Sequence, residues 1–125
     1  MKPENKKVLH KAIVTFGKYN QCLQTVEELI ELQKAVFENA HRGTDNRQNI
    51  VEEVADVEIM LAQLKMIYDI KPNEIEDIQD YKVGRLDKTI NKYIAKQEIE
   101  KKEKIQENNK YLQIDRIISN GKDYE

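Results

Sequence analysis

Between Arg47 and Asp69 a large apolar residue returns every three or four positions: Ile50, Val54, Val57, Leu61, Leu64 and Tyr68. That spacing follows the turn of an α-helix and sets the six side chains on one face. The second half of the stretch is apolar on further faces, through Ile59, Met60, Ala62, Met66 and Ile67. A helix that is apolar on several sides needs partners around it, so this one is expected at the centre of a bundle.

The rest of the chain keeps the same period. Gly17 separates a first amphipathic stretch, about residues 4–16 with Val8, Ala12 and Ile13, from a second over about 18–41. In the second, Leu23, Val26, Ile30, Gln33 and Phe37 form a stripe, with Leu29 and Val36 beside it. Arg42-Gly43-Thr44-Asp45-Asn46 reads as a turn in which Thr44, Asp45 or Asn46 caps the third helix. Pro72 and Asn73 open a fourth stretch through Ile75, Ile78, Val83, Leu86, Ile90 and Ile94.

Residues 96–110 are mostly Lys, Glu, Gln and Asn, which suits a solvated helix or a frayed tail. Glu98 with Lys102 and Glu100 with Lys104 sit at helix-supporting spacings. The cluster that follows, Tyr111, Leu112, Ile114, Ile117 and Ile118, is too apolar to prefer water. It is expected to dock on the body of the protein or on a neighbouring subunit, with 96–110 as the spacer. The domain division expected is therefore 1–95 and 96–125.

Composition supports helices throughout. With 4 Gly, 2 Pro and 6% aromatic residues among 125, the chain lacks the turns and ring-bearing residues of sheets. A net charge of −2, with 21 basic and 23 acidic residues, argues against non-specific nucleic-acid binding, which needs a basic surface. A single cysteine, Cys22, permits no intrachain disulfide and suits a reducing compartment, the cytoplasm. The polar N-terminus does not read as a signal peptide, and no apolar run is long enough to span a membrane.

Two acidic pairs carry the chemistry. Glu28 and Glu31 lie three apart in Glu27-Glu28-Leu29-Ile30-Glu31, and Glu53 and Asp56 lie three apart in Glu52-Glu53-Val54-Ala55-Asp56. Each pair points to nearly the same side of its helix. Two antiparallel helices joined by a short turn could bring the pairs together, where they would repel unless a cation sat between them. Oxygen-only ligands suit Mg²⁺ or Mn²⁺ rather than zinc. Glu-rich helices are commonly only solvated faces. The second pair differs, because Met60, Ile67 and the Val57 stripe border it, and apolar borders make unpaired carboxylates costly. His10 and His41 have no partner at metal spacing, and Cys22, Met60 and Met66 read as packing residues.

Glu27-Glu28-x-x-Glu31, a gap of 21 residues, then Glu53-x-x-Asp56 resembles the signature of the MazG-like, all-α nucleoside triphosphate pyrophosphohydrolases. The flanking words Val26-Glu27-Glu28-Leu29-Ile30-Glu31-Leu32-Gln33-Lys34-Ala35 and Ile50-Val51-Glu52-Glu53-Val54-Ala55-Asp56-Val57 fit as well, and the resemblance covers about residues 8–94. It is nearest to the short single-domain members of Gram-positive bacteria and their phages. The resemblance implies a helical bundle completed by oligomerisation, as a homodimer or homotetramer. It implies cleavage of a (deoxy)nucleoside triphosphate between its α- and β-phosphates, with Mg²⁺ held by Glu28, Glu31, Glu53 and Asp56, which are also the catalytic acids. Glu27 belongs to the signature with a structural or supporting task. Lys34, Lys82 and Arg85 are candidates for the substrate phosphates, each also readable as part of a solvated basic face. Nothing in the sequence selects a base. Two other functions fit the residues: a protein of the same fold that binds a nucleotide or nucleotide messenger without cutting it, and a helical interaction protein whose acids are surface charge.

Overall fold

The computed structural model describes residues 1–42 and 45–121. It is all-α: α1 (Pro3–Phe16), α2 (Lys18–Arg42), α3 (Arg47–Ile67) and α4 (Pro72–Gly121). Among the described residues there is no strand, and no helix is long and apolar enough to cross a membrane. The chain divides into two compact units, Met1–Ile75 and Glu76–Glu125. The division expected at residue 95 falls inside α4.

The helix ends follow the local sequence. Pro3 occupies the first turn of α1, where a missing N–H costs nothing. Gly17 ends α1 at φ +88°, a conformation in which a Cβ would be strained, and its N–H donates to the Ile13 carbonyl at 2.9 Å. Asn46 stands at the N-cap of α3 but does not cap it with its side chain; its amide Nδ2 donates to the Ala35 carbonyl at 3.3 Å. Asp45 Oδ1 accepts the Arg47 N–H at 3.5 Å, and Thr44 lies outside the described residues. At the start of α4, Glu74 reaches back to accept the Lys71 N–H at 2.7 Å, the reciprocal half of a capping box, with Pro72 as first helical residue.

In the first unit α3 packs against both α1 and α2, as its many-sided apolar surface requires. Helices α2 and α3 run antiparallel: Ala35 lies by Asn46, Glu28 by Glu53 and Asp56, and Gln21 by Gln63. The buried apolar residues are Ile13, Ala35, Val57 and Met60. Gln21, Thr25 and Gln63 are buried with them. The Gln21 amide donates to Gln63 Oε1 at 2.6 Å, the Gln63 amide reaches Met60 Sδ at 3.7 Å, and the Thr25 hydroxyl donates to the Gln21 carbonyl at 2.9 Å.

The face that α2 buries is not its apolar stripe. Among its described residues the buried or half-buried positions are Gln21, Cys22, Gln24, Thr25, Glu28, Leu32 and Ala35, centred on the line of Gln21, Thr25, Glu28, Leu32 and Ala35 at alternating steps of four and three. At 100° per residue the stripe of Leu23, Val26, Ile30 and Phe37 lies on the opposite side of the helix. Leu23 is 47% exposed and Phe37 53%. On α3 the expected stripe splits, with Ile50, Val57 and Leu64 inward and Val54, Leu61 and Tyr68 exposed. Met66 and Cys22 are half-buried; the Cys22 Sγ lies 3.9 Å from the Tyr68 hydroxyl. His10 and His41 are exposed, His41 against the Phe37 ring at 4.5 Å.

The second unit is the helical run of α4 from Glu76 onward. Residues 96–110 are helical and not frayed, in keeping with their Glu and Lys content, and Lys96 pairs with Glu100 at 4.0 Å. No residue of α4 is buried, and Tyr111, Leu112, Ile114, Ile117 and Ile118 are all exposed.

The buried amide pair gives a direct test of the α2–α3 seam. Replacing Gln63 by Leu strands the Gln21 amide and is expected to cost about 1–3 kcal/mol in urea denaturation. Replacing Gln21 and Gln63 together by Leu removes both polar groups and should recover most of that loss. A double variant no more stable than Gln63→Leu alone would refute the pairing.

Candidate metal centre

The polar seam of α2 leads from Gln21 and Thr25 to Glu28, which faces the second turn of α3. There Glu28, Glu53 and Asp56 each offer a carboxylate oxygen, and the three oxygens lie within 4.8 Å of one another. Glu28 and Glu53 are half-buried and Asp56 is exposed. Val57 and Met60, next after Asp56 in sequence and one turn beyond it on α3, are buried.

Glu31 is not brought into this triad. One turn beyond Glu28, it accepts a hydrogen bond from Lys34 at 3.1 Å, and both side chains are more than half exposed. Its charge still reaches the cluster. The Glu53 carboxyl is pushed above its ordinary value of 4.5, first by burial and then by the negative charges of Asp56, Glu31, Glu28 and Glu52. Each of these causes disfavours the ionised form of Glu53. Lys34 is the nearby cation of the α2 motif, and it serves Glu31.

One supporting residue escaped the sequence reading. The Gln24 amide donates to Glu28 Oε1 at 2.7 Å and fixes that carboxylate from the preceding turn. The signal was present in the sequence as Gln21, Gln24, Thr25 and Glu28, a polar run at helical spacing beside the acidic motif. Glu27 is exposed, and the Glu52 carboxylate accepts the Gln48 amide at 3.3 Å. The remaining candidates, Lys82 and Arg85, lie in the second unit. They share one side of α4 with Leu86 and Thr89, and the Arg85 guanidinium sits 5.9 Å from the Tyr81 ring centroid.

The donor set is chemically coherent. Three oxygens from two helices, with no nitrogen or sulfur donor among them, match a hard divalent cation such as Mg²⁺ or Mn²⁺. Compared with known proteins, the chain matches no family model, no curated protein and no solved structure.

The raised Glu53 carboxyl sets the sign of a pH dependence. In the unfolded chain Glu53 ionises near 4.5, and in the fold only at higher pH. Between those values Glu53 holds more of its proton in the folded state, so the contribution of this one group is most favourable below the unfolded value and is lost as pH rises through the folded one. Without divalent cation, Glu53→Gln should therefore melt above the parent at about pH 7 and lose part of the parent's decline toward neutral pH. Identical melting curves at both pH extremes would contradict the repulsion.

Proposed function

We propose that the protein is a Mg²⁺-dependent hydrolase of nucleoside triphosphates or related nucleotides, cleaving between the α- and β-phosphates to release the monophosphate and pyrophosphate. The observation that supports it best is the convergence of Glu28, Glu53 and Asp56 from two helices onto one point. These residues, at the spacing that resembles the MazG-like signature, would hold the cation. The cation, when bound, would neutralise phosphate charge and polarise the reacting groups. Glu31 would complete the set by turning from Lys34, which frees the Lys34 ammonium for a phosphate oxygen. A carboxylate of the set would accept the proton of the attacking water.

The outward face of α2 supports an oligomer as part of the same reading. Leu23, Val26, Ile30 and Phe37 present an apolar stripe, broken by Gln33, that the first unit leaves exposed. An apolar surface of that kind is covered in stable assemblies. The protein is proposed to be a homodimer or homotetramer in which a second copy covers this stripe.

Two measurements follow. Incubation with a panel of nucleoside triphosphates and Mg²⁺, resolved by chromatography, should yield monophosphate and pyrophosphate from at least one. Glu53→Gln should lower that turnover by about 100-fold or more while the helical circular dichroism spectrum is retained. Nucleotide bound with Mg²⁺ but recovered intact would establish a binding protein instead, and no cation-dependent binding would reject the site altogether. In light scattering the parent should have a multiple of the 14.8 kDa chain mass, and Ile30→Glu should lower it. A monomeric parent at micromolar concentration would remove the oligomer.

A further inference from the structure

The seam of α4 reads the same from both ends. Taken at alternating steps of three and four, it carries Leu86, Ile90 and Tyr93, then Gln97, Glu100, Lys104 and Glu107, then Tyr111, Ile114 and Ile118. These steps are those of a coiled-coil core. The two outer parts are apolar or aromatic and the centre is polar, and the pattern is symmetric about Lys102. All six outer residues are between 42% and 63% exposed. A shallow groove lined by Tyr93, Gln97, Glu100 and Lys104 follows the seam along the helix surface.

We infer that α4 pairs antiparallel with α4 of a second copy of this chain, about a two-fold axis near Lys102. In that register Leu86 meets the partner's Ile118, Ile90 the partner's Ile114, and Tyr93 the partner's Tyr111. Gln97 then faces the partner's Glu107, so an amide donates to a carboxylate. Glu100 faces the partner's Lys104, so opposite charges meet, with the Lys96 of its own helix already 4.0 Å away. Two-fold symmetry makes every contact twice.

The alternatives are poorer. A parallel pair in register sets Glu100 on Glu100, Lys104 on Lys104 and Glu107 on Glu107 in the seam, where desolvation makes like charges costly. An antiparallel pair shifted by one heptad sets Ile114 and Tyr111 against Gln97 and Glu100, or the equivalent mismatch at the other end. Polar residues at the centre of a seam select register and partner orientation in this way. At the rim of the favoured pair Lys101 lies near its own copy and Glu103 near its own. Those positions stay in water, where charge pairs contribute little. Six outer residues from each copy, at roughly 60–120 Å² apiece, cover an area on the order of 1,000 Å², the scale of a specific interface.

The test uses the full chain with Cys22→Ser, so that no native thiol remains. A chain carrying both Ile90→Cys and Ile114→Cys should oxidise to a covalent dimer on a non-reducing gel. Either substitution alone should leave monomer, because the two copies of one position stand roughly 36 Å apart along the pair. Glu100→Lys in the doubly substituted chain should raise the concentration needed for half-maximal cross-linking about tenfold or more, and adding Lys104→Glu should restore it. Cross-linking by Ile90→Cys alone would show a parallel pair and overturn the inference. No cross-link in the double variant, with its helical spectrum intact, would overturn it as well.

Discussion

The register of α2 against α3 is pinned by a buried hydrogen bond between the Gln21 and Gln63 amides, and at the other end of the pair by the Asn46 amide on the Ala35 carbonyl. An apolar seam would tolerate sliding, since one methyl contact replaces another. An amide pair does not, because a slip leaves both groups buried without partners, at about 1–3 kcal/mol each. Thr25 satisfies itself on the Gln21 carbonyl and adds no competing partner. With that register fixed, Glu28, two turns along α2 from Gln21, arrives opposite Glu53 and Asp56. The acidic cluster thus sits midway along the seam, between the polar contacts at its two ends.

This arrangement leaves the first unit with a small apolar core. Ile13, Ala35, Val57 and Met60 are its buried apolar residues, and α2 contributes only one of them. The larger side chains of α2 face outward instead. A helix whose inward side is polar and whose outward side is apolar is inverted for a monomer and ordinary for a subunit. The same holds within α4, where exposed apolar residues flank a charged middle. Both observations lead to the association proposed for this chain, by separate surfaces and for the same reason: apolar area of that extent is unfavourable in water.

The electrostatics of the cluster run against stability in the same sense. Burial and four neighbouring carboxylates push the Glu53 carboxyl above its ordinary value. Removing one charge would relieve the fold, so the arrangement is costly unless something compensates it. A divalent cation would convert the repulsion into ligation, and that physical requirement is what ties the cluster to the proposed chemistry.

By itself the sequence determined the helices and the two acidic pairs. The three-and-four spacing of Ile50 through Tyr68, the break at Gly17 and the start at Pro72 are local signals, and the all-α fold followed from them. The paired spacing of Glu28 with Glu31 and Glu53 with Asp56 was equally local. Tertiary structure decided which sides of the helices meet. Hydrophobic periodicity pointed to the Leu23–Phe37 stripe as the conspicuous face of α2, yet the polar stripe of Gln21, Thr25 and Glu28 is the one turned to α3. Periodicity finds a face but does not name its partner, and here the complementary amides of Gln21 and Gln63, forty-two residues apart, made that choice. It also separated the acids: Glu28, Glu53 and Asp56 converge, while Glu31 lies within reach of Lys34 on its own helix and is held there. A side chain's nearest opposite charge depends on rotamer and on the facing helix, and neither is written in the spacing of residues along one chain.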